Sequence, residues 1–129
     1  MVDINLAVIQ GPLSAEPELR TLPSVSEVAN LAVRASAGEH TTSVPVSVWD
    51  PPAWVAELSS GDDVIVLGAV RRRFYRSGSG TGSRVDVEAV FVGQSGKRQA
   101  GTVARRVEAT SAALLEEGAQ PTKAATHRR

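Results

Sequence analysis

"VSVWDPPAWVAELSSGDDVIVLGAVRRRFY", residues 46–75, contains a strand, a short helix and a second strand in immediate succession. In "SVPVSVW" (43–49), Val44, Val46 and Val48 fall on one face of an extended chain, and Ser43, Pro45, Ser47 and Trp49 fall on the other. Pro45 cannot donate to a ladder, which places this strand at an edge or a bulge. Asp50 is a candidate N-cap, Pro51 and Pro52 suit a first helical turn, and "AWVAEL" then runs toward Gly61, predicting about two turns of helix. "DVIVLGAVRRRFY" (63–75) begins apolar on both faces and becomes half polar, as a strand does when it leaves a core for solvent.

Outward from this block, the N-terminal side offers a strand at about 4–11, "INLAVIQG", and another at about 25–35, "VSEVANLAVRA", separated by the turn-rich "GPLSAEPELRTLPS". On the C-terminal side, "RVDVEAVFV" (84–92) alternates, with Val85, Val87, Ala89 and Phe91 on one face and Arg84, Asp86 and Glu88 on the other. Three strands, a helix and two strands is the element order of the OB fold, a five-stranded Greek-key barrel. The chain therefore reads as mainly β. After Gly93 two readings stand: "GTVARRVEATSAALLEEG" supplies a sixth strand near 102–109, or a helix running to Gly118. The expected organisation is a barrel domain over 1–110 and a flexible tail over 111–129, with "AQPTKAATHRR" reading as disordered.

The chain has 129 residues, enough for one domain with a modest core, and no cysteine, which removes disulfides, thiolate ligands and cysteine nucleophiles together. "INLAVIQG" is too short to span a membrane, follows Asp3 and lacks a small-residue cleavage site, so the expectation is a cytoplasmic protein. The formal charge of zero conceals an asymmetry: residues 1–93 carry 7 Arg and Lys against 11 Asp and Glu, whereas residues 94–129 carry 7 against 3. An anion-binding surface must then be local, and "RRRFYR" (71–76) is where it would lie.

Only five aromatic residues are present, and strand parity sorts them. Phe91 shares the valine face and is expected in the core. Trp49 opposes the valines; its ring faces solvent, or packs on the helix cap if the strand has already ended. Tyr75 aligns with Arg71 and Arg73, and so points outward, while Phe74 aligns with Val66 and Val70 and points toward the barrel interior unless a bulge swaps them. Trp54 and Leu58 form one apolar helix face, which reads as packing. Arg34 aligns with Asn30 and Ser26 and offers either a phosphate contact or a solvated charge. A ring on a basic strand has a direct use: stacking is worth roughly 1–3 kcal/mol per base in proteins that bind single strands, and nearby arginines, Arg76 included, neutralise phosphates. The loop "SGSGTGS" (77–83) is either a mobile finger or a hairpin connection.

Catalytic chemistry is missing. Gly78, Gly80 and Gly82 have the wrong spacing for a dinucleotide fingerprint, and "GQSGKR" (93–98) lacks the gap and the hydroxyl of a phosphate loop. His40 and His127 support neither a triad nor a histidine metal site, and Asp62 and Asp63 read as charges at a strand entry. No enzyme, metal or cofactor is expected.

These residues resemble the bacterial single-stranded DNA-binding protein family. The likeness rests on "NLAVIQGPLSAEPELRTLPS" (5–24), with its Gly-x-Leu turn, Pro-Glu-Leu-Arg and Thr-x-Pro-Ser pattern, on "VANLAV" (28–33), and on the quoted 46–75 block. It implies an OB fold, non-catalytic binding of single-stranded DNA with little sequence preference in replication, recombination or repair, and a cytoplasmic, nucleoid-associated location. Trp49 and Tyr75 would occupy base-stacking positions, and Arg71 and Arg73 would lie on the DNA-facing strand. The resemblance also implies a homotetramer, and in actinobacterial-looking members a further strand clasps the neighbouring subunit, favouring the strand reading of 102–109. Ser43 replaces a family tryptophan, "SAGEHT" (36–41) carries no ring, and the terminal "THRR" differs from the acidic tip that recruits replication and repair proteins. These departures fit a specialised paralogue. The alternative function is an oligomerisation or protein-interaction barrel with weak or lost DNA binding.

Overall fold

A computed structural model describes residues 3–24 and 26–119. Six strands run β1 (Ala7–Pro12), β2 (Glu18–Thr21), β3 (Glu27–Ala37), β4 (His40–Trp49), β5 (Asp63–Ser77) and β6 (Gly80–Gln94), followed by a helix, α1 (Arg98–Ala119). They form one sheet in the order β1-β5-β6-β4-β3-β2. All the long pairings are antiparallel; β4 and β6 pair in parallel at Val46 with Val87 and Ser47 with Glu88. The sheet curls until its first strand reaches its third: Leu13 bridges Val33, and the Ser14 N–H donates to the Ala32 carbonyl at 2.8 Å. Gly11 permits this approach, because a Cβ there would lie 1.9 Å from the Arg34 carbonyl oxygen. The result is the OB-type barrel with five main strands, plus the small strand β2.

Alternation fills the interior. Val46 and Val48 from β4, Leu31 and Val33 from β3, Val64 and Val66 from β5, and Val87 from β6 all join one buried cluster. Val55, at 0% exposure, enters that cluster from a 3-10 helix over Ala53–Glu57, with Trp54 packed beside it and Leu58 buried. The expected Asp50 cap is not the one used: Asp50 adopts φ 48° and donates its N–H to the Glu27 carbonyl at 2.8 Å, extending the β3–β4 ladder. Pro52 occupies the cap position with no side-chain bond, and the chain returns to extended backbone at Leu58, with φ −70° and ψ 152°. The element is accordingly shorter than the two turns expected.

One further departure has a physical cause, and two segments left with alternatives each adopt one of them. Strand β2 lies inside the segment read as turns; its four residues are all exposed, so no alternation announces it, and it is held by pairing with β3 from Glu18–Asn30 to Thr21–Glu27. Of the two readings of 102–109 the helix is the one adopted, against the sixth strand that the resemblance favours: Ala100, Val103, Ala104 and Val107 recur at helical spacing, and α1 faces Ile65 on β5 and Val8 on β1 across a small hollow. The glycine-rich segment is a hairpin connection in which Gly78 and Ser79 join two long strands paired up to Ser77–Gly80. Asp62 is confirmed in a local role, accepting the Ser59 N–H at 2.8 Å. His127 and the "THRR" end lie outside the described residues, as does all of the segment expected to be disordered except Ala119.

Leu13 is 2% exposed at the closure, whereas Leu115 on α1 is 74% exposed. Leu13→Ala is expected to lower stability by about 2–5 kcal/mol, and Leu115→Ala to stay within about 0.5 kcal/mol of the parent. Urea unfolding followed by tryptophan fluorescence checks both.

Candidate nucleic-acid interface

Beyond the barrel the β5–β6 hairpin continues as a two-stranded arm, and its outward face is continuous with the outer face of β4 and β3. Directly opposed residues share a face, so Arg71, Arg73 and Tyr75 of β5 stand with Gly82, Arg84, Asp86 and Glu88 of β6. Across the parallel junction, Ser47 and Trp49 of β4 continue that face, and Asn30 opposes Ser47. Trp49 is 40% exposed and Tyr75 49%, so both rings point out of the core, as parity predicted. Tyr75 sits against Gly82, where a Cβ would meet the phenol ring at 2.7 Å; the glycine is what lets the ring lie down on the neighbouring strand.

These side chains enclose a groove of about 480 Å³ whose walls carry Trp49 and Tyr75 together with Arg20, Arg73 and Arg84, over a base of Asn30, Ser47 and Asp86, with Phe74 at its edge from the other face of the hairpin. The base is electrostatically organised. Arg73 donates from Nε to Asp86 Oδ2 at 2.7 Å, and the Ser47 hydroxyl donates to the same oxygen at 2.9 Å. Asp86 is almost fully buried, so its charge is compensated by contact and not by water. Above it, Arg71 Nη1 pairs with Glu88 Oε1, and Glu88 Oε2 lies 3.9 Å from Arg73 Nη2. Arg72, on the other face, donates to the Ser83 hydroxyl at 3.0 Å.

Of the residues singled out in the sequence, Trp49, Arg73, Phe74 and Tyr75 meet at the groove; Arg71 shares its face; Arg76 is exposed near the hairpin tip, opposite Thr81. Arg34 does not join them. It pairs with Ser43, six residues along β3 from the Val28–Trp49 pair, roughly 20 Å at strand spacing, and is solvent-exposed.

Two aromatic expectations are corrected. Phe74 has interior parity but is 77% exposed, because the hairpin has already outrun the barrel and there is no interior left to face. Phe91 is not on the valine face. Leu67 opposes Phe91 but Gly68 opposes Ala89, leaving Val90 as an extra residue; this bulge reverses parity beyond it, so Val92 joins the core while Phe91 lies on the outer side against Gly93.

Arg20, Asn30 and Arg84 were missed. Arg84 becomes visible once the turn is placed at Gly78–Ser79, since it then opposes Arg73; Arg20 has no such signal, because it sits on the unannounced β2.

A larger hollow of about 830 Å³ lies on the other side of Trp49, lined by Trp54 and Phe91 with Asp50 and Glu57 against a single cation, Lys97. Its charge has the wrong sign for phosphate, which leaves the smaller, arginine-walled groove as the nucleic-acid candidate. Among the described residues no cluster of three or more His, Asp or Glu side chains is placed to hold a metal, and no helix is long and apolar enough to cross a membrane.

The two acids under the arginines differ in burial, and their removal should differ accordingly. Asp86→Ala, which strips Arg73 and Ser47 of their shared acceptor, is expected to cost about 1.5–3 kcal/mol per charged hydrogen bond lost. Glu88→Gln, at a partly solvated pair, is expected to change stability by less than about 1 kcal/mol. Thermal and urea unfolding of the two variants, side by side, checks the contrast.

No family model matches the chain. A single-stranded DNA-binding protein of Thermus thermophilus is 32% identical over 124 residues, covering 89% of this chain and 47% of that protein. A second Thermus thermophilus protein of the same name is 36% identical over 83 residues, covering 60% of this chain and 31% of that one. Among solved structures, wild-type single-stranded DNA-binding protein from Thermus aquaticus superposes with a TM-score of 0.61 at 24% identity, covering 73% of this chain and 41% of that chain. A deletion mutant of the same protein gives 0.62. The chain thus spans less than half the length of these relatives. None of their names describes an enzyme, and the structural likeness establishes the shared OB fold. With relatedness running through nearly nine-tenths of its length, the chain is a homologue of proteins named single-stranded DNA-binding protein, and it shares their barrel.

Proposed function

We infer that the chain binds single-stranded DNA without catalysis and with little sequence preference, stacking bases on Trp49, Tyr75 and Phe74 and neutralising phosphates with Arg71, Arg73 and Arg76, to which the groove adds Arg20 and Arg84. The observation that carries this reading is the meeting of two outward rings, Trp49 and Tyr75, and three arginines around one groove, with exposed Phe74 at its edge, on an otherwise acidic body. Rings accept any base because every base has a π-face, and arginines accept any phosphate, so the surface selects for an unpaired strand and not for a sequence. Arg34, remote from the groove, serves as a further phosphate contact only for a strand long enough to follow β3.

Such a protein serves DNA replication, recombination or repair in the cytoplasm, at the nucleoid. Assembly into a homotetramer belongs to the same reading and is supported by apolar side chains left outside: Ile4 at 90% exposure and Leu6 at 65%, both just before β1. Light scattering on the full chain counts the subunits.

A second reading, an oligomerisation or protein-interaction barrel with weak DNA binding, draws on one observation: Arg71 and Arg73 already have carboxylate partners. Titration of the full chain with oligo-dT at several salt concentrations separates the two. DNA binding is expected to quench tryptophan fluorescence and to give a log–log salt slope of about −0.7 per phosphate neutralised. No quenching and no slope would leave the interaction barrel. Under the DNA-binding reading, Tyr75→Ala loses roughly 1–3 kcal/mol of affinity while its urea midpoint stays at that of the parent.

A further inference from the structure

We propose that Glu88 is a resident competitor for the phosphate backbone, holding Arg71 and part of Arg73 until DNA displaces it, and that it thereby sets the affinity of the groove. The proposal rests on the reading of that groove as a single-strand site. Its basis is the difference between the two acids of the outer face. Asp86 has a side chain 1% exposed, and its Oδ2 is shared by Arg73 and Ser47; DNA cannot reach it, and its charge belongs to the scaffold. Glu88 is 28% exposed and Arg71 49%, so water and phosphate both reach their pair.

Glu88 also straddles the two guanidiniums. One carboxylate oxygen pairs with Arg71 Nη1 while the other lies 3.9 Å from Arg73 Nη2. A carboxylate bridging two arginines occupies the position that a phosphate contacting both would need. Pairs this accessible are held weakly in water, so a phosphate can displace the carboxylate. The displaced Glu88 nevertheless stays on β6 beside the strand, opposite Ala69, and its negative charge then repels the bound backbone. The two effects act in the same direction: Glu88 weakens binding and lowers the number of phosphates effectively neutralised.

Glu88→Gln keeps the side-chain size and removes the charge. The test compares full-length parent, Glu88→Gln, Arg71→Gln and the double variant in oligo-dT titrations from low to moderate salt, with Glu116→Gln on the exposed part of α1 as a charge-matched control. Glu88→Gln is expected to bind roughly three- to tenfold more tightly at low salt and to steepen the log–log salt slope by about 0.7, one additional phosphate. In the Arg71→Gln background most of that gain should vanish, because the cation being released is no longer there. Glu116→Gln should leave both affinity and slope at parent values.

Equal or weaker binding by Glu88→Gln with an unchanged slope overturns the proposal, as does a gain that persists undiminished without Arg71 or that Glu116→Gln reproduces. Each of these is read against a parent that binds. A parent that neither quenches nor shows a salt slope fails the functional reading itself, which is a different result.

Discussion

The buried carboxylate of Asp86 joins the barrel to the groove outside it. Asp86 stands on β6, receives the Ser47 hydroxyl from β4 and the Arg73 guanidinium from β5, and so pins three strands on the face where Trp49 and Tyr75 stand. Burying a carboxylate is costly unless it is paired and hydrogen-bonded, and here a cation and a hydroxyl on Oδ2 offset part of that cost while the buried Oδ1 has no hydrogen-bond partner. The arrangement does little that a hydrophobic trio could not do for cohesion. What it adds is direction, since a guanidinium held through Nε has its planar fork set by the protein before any ligand arrives.

Whether a feature was legible in the sequence depended on how far alternation stayed unbroken. Val44, Val46 and Val48 lead without interruption to Trp49, and Arg71 and Arg73 lead to Tyr75, so parity placed both rings outside. One unpaired residue, Val90, was enough to reverse the reading of Phe91, and nothing in "VEAVFVG" marks a bulge, because every residue there suits a strand. Phe74 failed for another reason: parity assigns a face but not whether a core lies beneath that face, and strands of 15 residues project beyond a small barrel. For 102–109 strand and helix stood level in the sequence, and the helix at 98–119 prevails because "TVARRVEA" satisfies a helical stripe once Ile65 and Val8 offer it an apolar surface, a tertiary fact invisible from the segment alone.

Charge shows the same division between local and global information. A net charge of zero and an acidic body would argue against a polyanion partner if they were spread evenly. Pairing in the hairpin instead sets Arg84 directly opposite Arg73, and β2 brings Arg20 to the same groove from a segment far away in the chain. The field that a ligand meets is set by such juxtapositions within about a Debye length, roughly 8–10 Å, and not by the sum over the chain.

Trp49 divides two concavities of opposite character, the arginine-walled groove on one side and the hollow containing Asp50 and Glu57 on the other. On the proposed single-strand reading, a strand stacked on that indole has its backbone drawn toward the groove. Phosphates turned toward the hollow would meet two carboxylates with a single lysine among its lining residues, whereas the groove offers three arginines. Stacking alone is indifferent to the direction of the backbone, so the acids flanking the tryptophan supply the polarity that the ring lacks. On that reading, repulsion on one side of Trp49 adds to attraction on the other.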